Sequence, residues 1–401
     1  MSEGNEQKKK QLGSVVGPRL AGTQVRVLAG VLVVLALSCV LIAVVQDRIR
    51  THSWRRSSGT DLTGLGKAMQ IYGKDSEGKL PAAGQTGGLK RKGVNYRRPR
   101  AEADLEYWLK NMVLYHRFTD KEVAAGTGLT EKEIVAAKDR FNIRIDNRPE
   151  RKKDAPLLVL PYPGGRHPRI GFLEGAIDPQ RETKFSVFTP WDPKSYVVVD
   201  VPEAIWSNLG LTYLAHTHID TVWTKQGIEL AKLEWNRHPD GRLDIERELP
   251  NGIAFGVNVK PTREAVRMEM WLKNGTKQRL SDLRIQICVM PKMAAGFSEQ
   301  SNENKVFRDP YAACRSSDGK RWIITGWENC HRPWGNERCP CFHSDPKFPD
   351  LEAGQTHRLH GWLSFYEGTD IEAEFRRIEQ TGLWKIVDSA TEGTEQKSEI
   401  E

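Results

Sequence analysis

The chain has 401 residues and a formal charge of +8. That charge is concentrated: residues 51–100 hold eleven Lys and Arg against three Asp and Glu, residues 1–50 add +4, and residues 101–401 carry −4. A mildly acidic folded portion argues against a nucleic-acid surface spread over it, because phosphate binding needs concentrated cations.

An N-terminal arm at 1–26 precedes an apolar run from Val27 to Val45, nineteen residues without a charge. At about 1.5 Å per residue it reaches roughly 28 Å, close to the hydrocarbon core of a bilayer. A signal peptide has a shorter apolar region and a small-residue cleavage site. This run exits instead into Gln46-Asp47-Arg48, so it reads as an uncleaved transmembrane anchor at 27–45. The flanking cations tie, and the positive-inside bias decides nothing. The expected location is the cell membrane, single-pass, with the large C-terminal portion outside the cytoplasm.

Residues 46–100 follow. Leu62, Leu65, Met69 and Tyr72 recur at helical spacing after Asp61, a capping residue, and the stretch ends in Gly78-Lys79-Leu80-Pro81. With the apolar helix ahead of it, the segment 57–81 resembles the first helix of pilin-like (type II secretion pseudopilin) proteins. The Gly-Phe-x-x-x-Glu processing site of that family is missing, so assembly into a pilus is not implied. The rest, through Lys90-Arg91-Lys92 and Arg97-Arg98-Pro99-Arg100, reads as a solvated basic linker.

Residues 101–150 read as a helical unit. Asp104–Val113 is amphipathic. Within 118–140, Ala124 sits where a first helix must be narrow and Gly128 sits at the turn. Val123, Leu129, Ile134 and Ala137 take the apolar positions, and Thr130 caps the second helix. This pattern resembles a helix-turn-helix motif. Its second helix offers Glu131, Lys132, Glu133, Lys138, Asp139 and Arg140, which carry no net charge. A recognition helix presents cations and amides to the groove, so structural packing is favoured and nucleic acid is not an expected partner.

From 151 to 387 the texture is that of strands: Leu157–Leu160, Lys184–Phe188, Tyr196–Val201, Leu211–Ala215, Ile253–Val259, Val266–Leu272, Leu283–Met290, Trp322–Thr325 and His360–Tyr366. Turn signals such as Pro239-Asp240-Gly241, Asn251-Gly252 and Ser317-Asp318-Gly319 separate them, and one helix follows at Asp370–Gln380. Many strands with short turns indicate an antiparallel sandwich. The tail at 388–401 is polar and reads as disordered. The expected fold class is therefore α+β, mainly β: one N-terminal transmembrane helix, a small helix-turn-helix-like unit, then an antiparallel β-sandwich. The stretch Leu249–Met290 resembles part of a galactose-mutarotase-type supersandwich. The region 150–385 as a whole also resembles a family of single-span bacterial proteins with no assigned activity.

Two clusters carry possible chemistry. Cys330, His331, Cys339, Cys341 and His343 lie within fourteen residues of a Pro/Gly-rich stretch read as a loop. Thiolates and imidazoles suit zinc, and four donors close a tetrahedral site. Disulfide pairing of Cys330 with Cys339, Cys341 or Cys314 is the alternative outside the cytoplasm. The second cluster is His216, His218 and Asp220 at a strand end. Residues two apart in a strand share a face, so both imidazoles can meet one metal or substrate. His167, Glu174, Asp178 and His238 are the available partners.

Ten of the twelve tryptophans follow residue 150; most read as core or inter-sheet packing, and a few exposed ones would suit a sugar-stacking or peptide-binding surface. The leading reading is a membrane-anchored protein whose β-sandwich binds a ligand, carbohydrate being the class considered. Two alternatives stand beside it. One is a sugar-modifying enzyme of epimerase or lyase type; the other is a membrane-tethered helix-turn-helix DNA-binding regulator.

Overall fold

A computed structural model describes residues 96–164, 182–215, 219–336 and 340–382. The N-terminal arm, the apolar run at 27–45, the pilin-like stretch at 57–81 and the tail at 388–401 lie outside the described residues. The expected fold class included a transmembrane helix, and that part is corrected. Among the described residues no helix is long and apolar enough to cross a membrane. The longest have ten residues, about half of what a span needs, and each carries a charged face. The observed architecture is mainly β, with two antiparallel sheets and few helices.

The first sheet contains β1 (Val159–Pro161), β2 (Lys184–Phe188), β3 (Tyr196–Ser207) and β4 (Gly210–Leu214) from the first part of the domain. The second sheet begins with β5 (Asn236–Arg237), β6 (Leu243–Glu248), β7 (Ala254–Pro261) and β8 (Ala265–Lys273). The chain then returns to the first sheet as β9 (Arg284–Met290) and to the second as β10 (Lys305–Arg308), β11 (Tyr311–Arg315) and β12 (Arg321–Trp327). A hairpin of β13 (Cys330–Asn336) and β14 (Cys341–Pro346) joins the first sheet, and β15 (Thr356–Glu367) joins the second. Strand order is β1-β2-β3-β9-β14-β13, with β4 on the end of β3, and β10-β11-β12-β15-β8-β7-β6-β5.

Period-2 alternation decides which side chains meet. Val197, Val199, Ile285, Ile287, Val289 and Phe342 point from the first sheet into the space between the layers. They meet Ile245, Phe255, Val257, Met268, Met270 and Ile323 of the second. Trp327 is fully buried, and its ring lies against Gly361, its cross-strand partner; a Cβ on Gly361 would sit 2.3 Å from the indole. On the outer face of the second sheet, α4 (Ile371–Gln380) is packed through Ile371, Phe375 and Ile378. Phe375 stacks on Tyr311 at 4.9 Å.

The helical unit covers part of the outer face of the first sheet. Here α1 (Glu102–Leu109) continues as a π-helical turn, Lys110–Tyr115, followed by α2 (Asp120–Thr127) and α3 (Glu131–Arg140). Thr119 and Thr130 each close a capping box with a Glu three residues on, Glu122 and Glu133. Gly128 ends α2 at φ 72°, where a side chain would also strike the Tyr96 ring. Trp108, Leu109, Met112, Val113, Val123, Ile134 and Ala137 form an apolar layer with Phe188, Tyr196, Val198, Cys288 and Met290 of the sheet. Replacing Thr130 with Ala is expected to destabilise the protein by about 1 kcal/mol. Equilibrium urea unfolding checks this, and an unchanged midpoint would show that the cap is redundant.

Candidate functional site

The outer face of the first sheet is only partly covered, and its remaining concavity forms a cleft of about 210 Å³. Its lining follows from strand alternation. On β9, Gln286, Cys288 and Met290 face the cleft, opposite the core residues Ile285, Ile287 and Val289. Cys341 and His343 reach it from β14, Trp334 and Asn336 from β13, and Trp206 from β3. A bulge adds Glu203. The β3–β9 register jumps from Asp200↔Cys288 to Ala204↔Gln286, so four steps of β3 oppose two of β9. Such irregularities re-aim a side chain; here Glu203 lines the cleft and accepts a hydrogen bond from Gln286 Nε2 at 2.8 Å.

At the centre of the cleft wall, donor atoms of Cys288, Cys341 and His343 lie within 4.8 Å of one another, and all three residues are buried. His343 Nε2 is 3.4 Å from Cys341 Sγ. The other imidazole nitrogen, Nδ1, faces Asp345 Oδ1 at 3.8 Å. Trp334 stacks on the imidazole with centroids 4.1 Å apart and an interplanar angle of 11°. Asp345 is held from three sides. It accepts the Ile287 N–H at 3.0 Å, the Trp334 indole N–H at 2.6 Å and an Arg332 guanidinium N–H at 3.0 Å. The ring orientation of His343 is thus fixed by stacking and by a buried carboxylate that is itself anchored.

The sequence grouped five donors, and the structure regroups them. The stretch read as a loop is the β13–β14 hairpin; Pro333 is tolerated there because β13 is an edge strand. Cys330 pairs with Pro346 at one end of that hairpin, and Cys341 pairs with Asn336 at the other. Five strand steps separate these ends, about 17 Å at roughly 3.4 Å each. That distance excludes a disulfide between Cys330 and Cys341. Burial pushes the Cys330 thiol up to about 11, which leaves it protonated at neutral pH. Burial also lowers the neighbouring His331. Cys314 is buried in the sandwich core and is pushed up to about 12 by burial. Cys339 lies outside the described residues.

His216 and His218 also lie outside the described residues, although Leu214 and Ile219, on either side of them in the chain, line the cleft. Asp220 is exposed and accepts a hydrogen bond from Thr224. His238 pairs with Asp244 on the second sheet. His167, Glu174 and Asp178 are outside the described residues. The residues that sequence reasoning missed are Glu203, Gln286, Cys288 and Asp345. A signal existed for three of them: Asp345 alternates at period 2 with Cys341 and His343, and Gln286 does so with Cys288.

The second helix of the helix-turn-helix-like pattern, α3, carries charges of both signs. On α3, Glu131, Lys132, Glu133, Asp139 and Arg140 are exposed. Lys138 is paired with Asp120, and Arg98 lies 3.9 Å from Glu133.

No sequence-family profile matches the chain, and no curated protein matches it. Among solved structures, a polysaccharide lyase is similar at 13% identity and TM-score 0.24, over 34% of this chain and 23% of that one. A putative kojibiose phosphorylase from the human microbiome gives 9% identity and TM-score 0.26, over 36% and 20%. Heparan sulfate lyase HepC from Pedobacter heparinus gives 11% identity and TM-score 0.26, over 67% and 42%. The chain thus spans about a quarter or less of the first two proteins. At these scores the likenesses assign no activity to it.

Proposed function

We propose that the two-sheet domain binds a small carbohydrate in the cleft on the outer face of the first sheet. One juxtaposition carries this reading: a hydrogen-bonded Glu203–Gln286 pair shares a single concavity with the Trp206 indole. Sugar recognition needs both parts. Hydroxyl groups require paired donors and acceptors, which the carboxylate, the amide and Asn336 supply. The apolar C–H faces of a sugar ring pack on flat aromatic surface. Drug-sized ligands occupy cavities of about 300 Å³ or more, so about 210 Å³ suits one sugar ring rather than a long chain.

The test is ligand-observed NMR and calorimetry of the purified chain against a panel of mono- and oligosaccharides. At least one sugar is expected to bind. Trp206→Ala and Glu203→Gln are each expected to weaken it about tenfold or more, as loss of a stacking face or a charged hydrogen bond does. Thermal unfolding serves as the control for folding. Binding that survives both substitutions, or an absence of binding across the panel, overturns the reading.

A further inference from the structure

We propose that Cys288, Cys341 and His343 form a binding site for a zinc-class divalent metal ion on the wall of the cleft. The proposal is independent of the sugar reading, because it rests on the donor atoms alone. Two sulfurs and one imidazole nitrogen converge within 4.8 Å from two different strands, with all three residues buried. Metal–sulfur bonds of about 2.3 Å and metal–nitrogen bonds of about 2.0–2.1 Å place tetrahedral S and N ligands about 3.6 Å apart. The observed separation between Cys341 Sγ and His343 Nε2 is 3.4 Å. Bringing Cys288 into the same shell needs a closure of about 1 Å at most, within side-chain rotation on a fixed strand.

The surroundings of the histidine argue further. A ligating imidazole almost always directs its second nitrogen to a carboxylate or carbonyl, which sets the tautomer and raises its basicity. Here Nε2 points to the thiols and Nδ1 faces the buried Asp345. Asp345 is fixed by Ile287, Trp334 and Arg332, and Trp334 clamps the ring from its face. Two thiolates balance a divalent charge, so the loaded site is neutral overall, a state compatible with its burial. A thiol-rich donor set selects zinc and its softer neighbours over magnesium or calcium, which prefer oxygen. Three protein donors leave a fourth tetrahedral position, the arrangement of sites that admit water or a ligand. Asp345 is a positioning residue in this scheme. It touches no metal and acts through His343.

The full chain is purified under reducing conditions, stripped with chelator and titrated with Zn²⁺ and with Co²⁺. About one equivalent is expected to bind, and the cobalt form is expected to show the intense near-ultraviolet thiolate charge-transfer band of a tetrahedral sulfur-ligated site. Cys288→Ser, Cys341→Ser and His343→Gln should each weaken binding by more than about a hundredfold. Asp345→Asn should weaken it about 10–100-fold without abolishing it. Cys314→Ser and Cys330→Ser should leave it unchanged. Should the site variants fail to fold, alkylation of the wild-type chain decides. Zinc is then expected to protect Cys288 and Cys341 from iodoacetamide and to leave the labelling of Cys330 unaltered. Sub-stoichiometric metal, binding retained in Cys288→Ser, unprotected thiols, or a Cys288–Cys341 disulfide in the isolated protein would each overturn the assignment. A sugar-binding failure has no bearing on these readouts, so the two proposals fail separately.

Discussion

Acidification from pH 7 to pH 4 is expected to remove several kcal/mol of stability through one histidine, His116. This residue joins the helical unit to the first sheet and is 4% exposed. Its Nδ1 lies 3.0 Å from the Asn111 carbonyl and its Nε2 lies 2.8 Å from the Ser186 hydroxyl. A carbonyl only accepts, so Nδ1 carries the proton and Nε2 accepts from Ser186. Phe118, Tyr162, Phe188 and Tyr196 surround the ring. Burial therefore lowers its pKa from 6.5 to about 3; the Asn111 hydrogen bond opposes this, and nearby Arg148 adds to it.

The direction of the pH effect follows from proton counting. Above pH 6.5 the imidazole is neutral in both folded and unfolded chains. Below it the unfolded chain takes up a proton that the folded chain refuses until about pH 3. Stability therefore falls with pH across that window, by up to about 1.4 kcal/mol per unit and about 5 kcal/mol in all. Urea unfolding at pH 7, 5.5 and 4 measures the slope. His116→Gln, which cannot titrate, is expected to flatten it after subtraction of the carboxylate background. Parallel curves for the two proteins would falsify the assignment.

Lys184→Met is expected to cost about 3–5 kcal/mol, the penalty for leaving a buried charge without its counterion. Lys184 and Asp200 face each other across β2 and β3, 3.4 Å apart, and neither side chain is exposed to solvent. Thr183 donates to Asp200 at 2.8 Å, so the carboxylate is tied into the strand connection as well. Lys184→Met/Asp200→Leu removes both charges and is expected to recover much of the loss, because a buried pair and an apolar pair of similar size differ little. Chemical denaturation of the two variants gives the comparison. A single substitution costing less than about 1 kcal/mol, with the double no better, would show that water reaches the pair.

Local chemistry was readable and long-range pairing was not. Val266–Leu272 alternates cleanly, and the structure makes it β8, spanning Ala265–Lys273. Thr130 and Gly128 announce a cap and a turn, and both occur, the turn with Gly128 in the left-handed region. In the hairpin Cys330–Pro346, Pro333 and Gly335 suggest a loop, but an edge strand accommodates both. The site failed for a related reason. Cys330 and His331 are near Cys341 and His343 along the chain, yet a strand ladder holds them apart. Cys288 is distant in sequence, yet sheet order places β9 beside β14. Nothing in a single sequence specifies that order, because it arises from the pairing of strands whose apolar faces are interchangeable.

That strand order also bears on how the polypeptide is made. Trp108 of the helical unit leaves the ribosome 235 residues before His343. At about 5–20 residues per second the interval lasts on the order of 10–50 s. Until Cys288 emerges, 180 residues after Trp108, the helices present Trp108, Met112 and Val113 without the Cys288 and Met290 that will cover them. The cleft is similarly deferred, since Glu203 waits for Gln286 and Cys288 waits for Cys341. A nascent chain of this design exposes adhesive apolar surface until its last-made strands arrive.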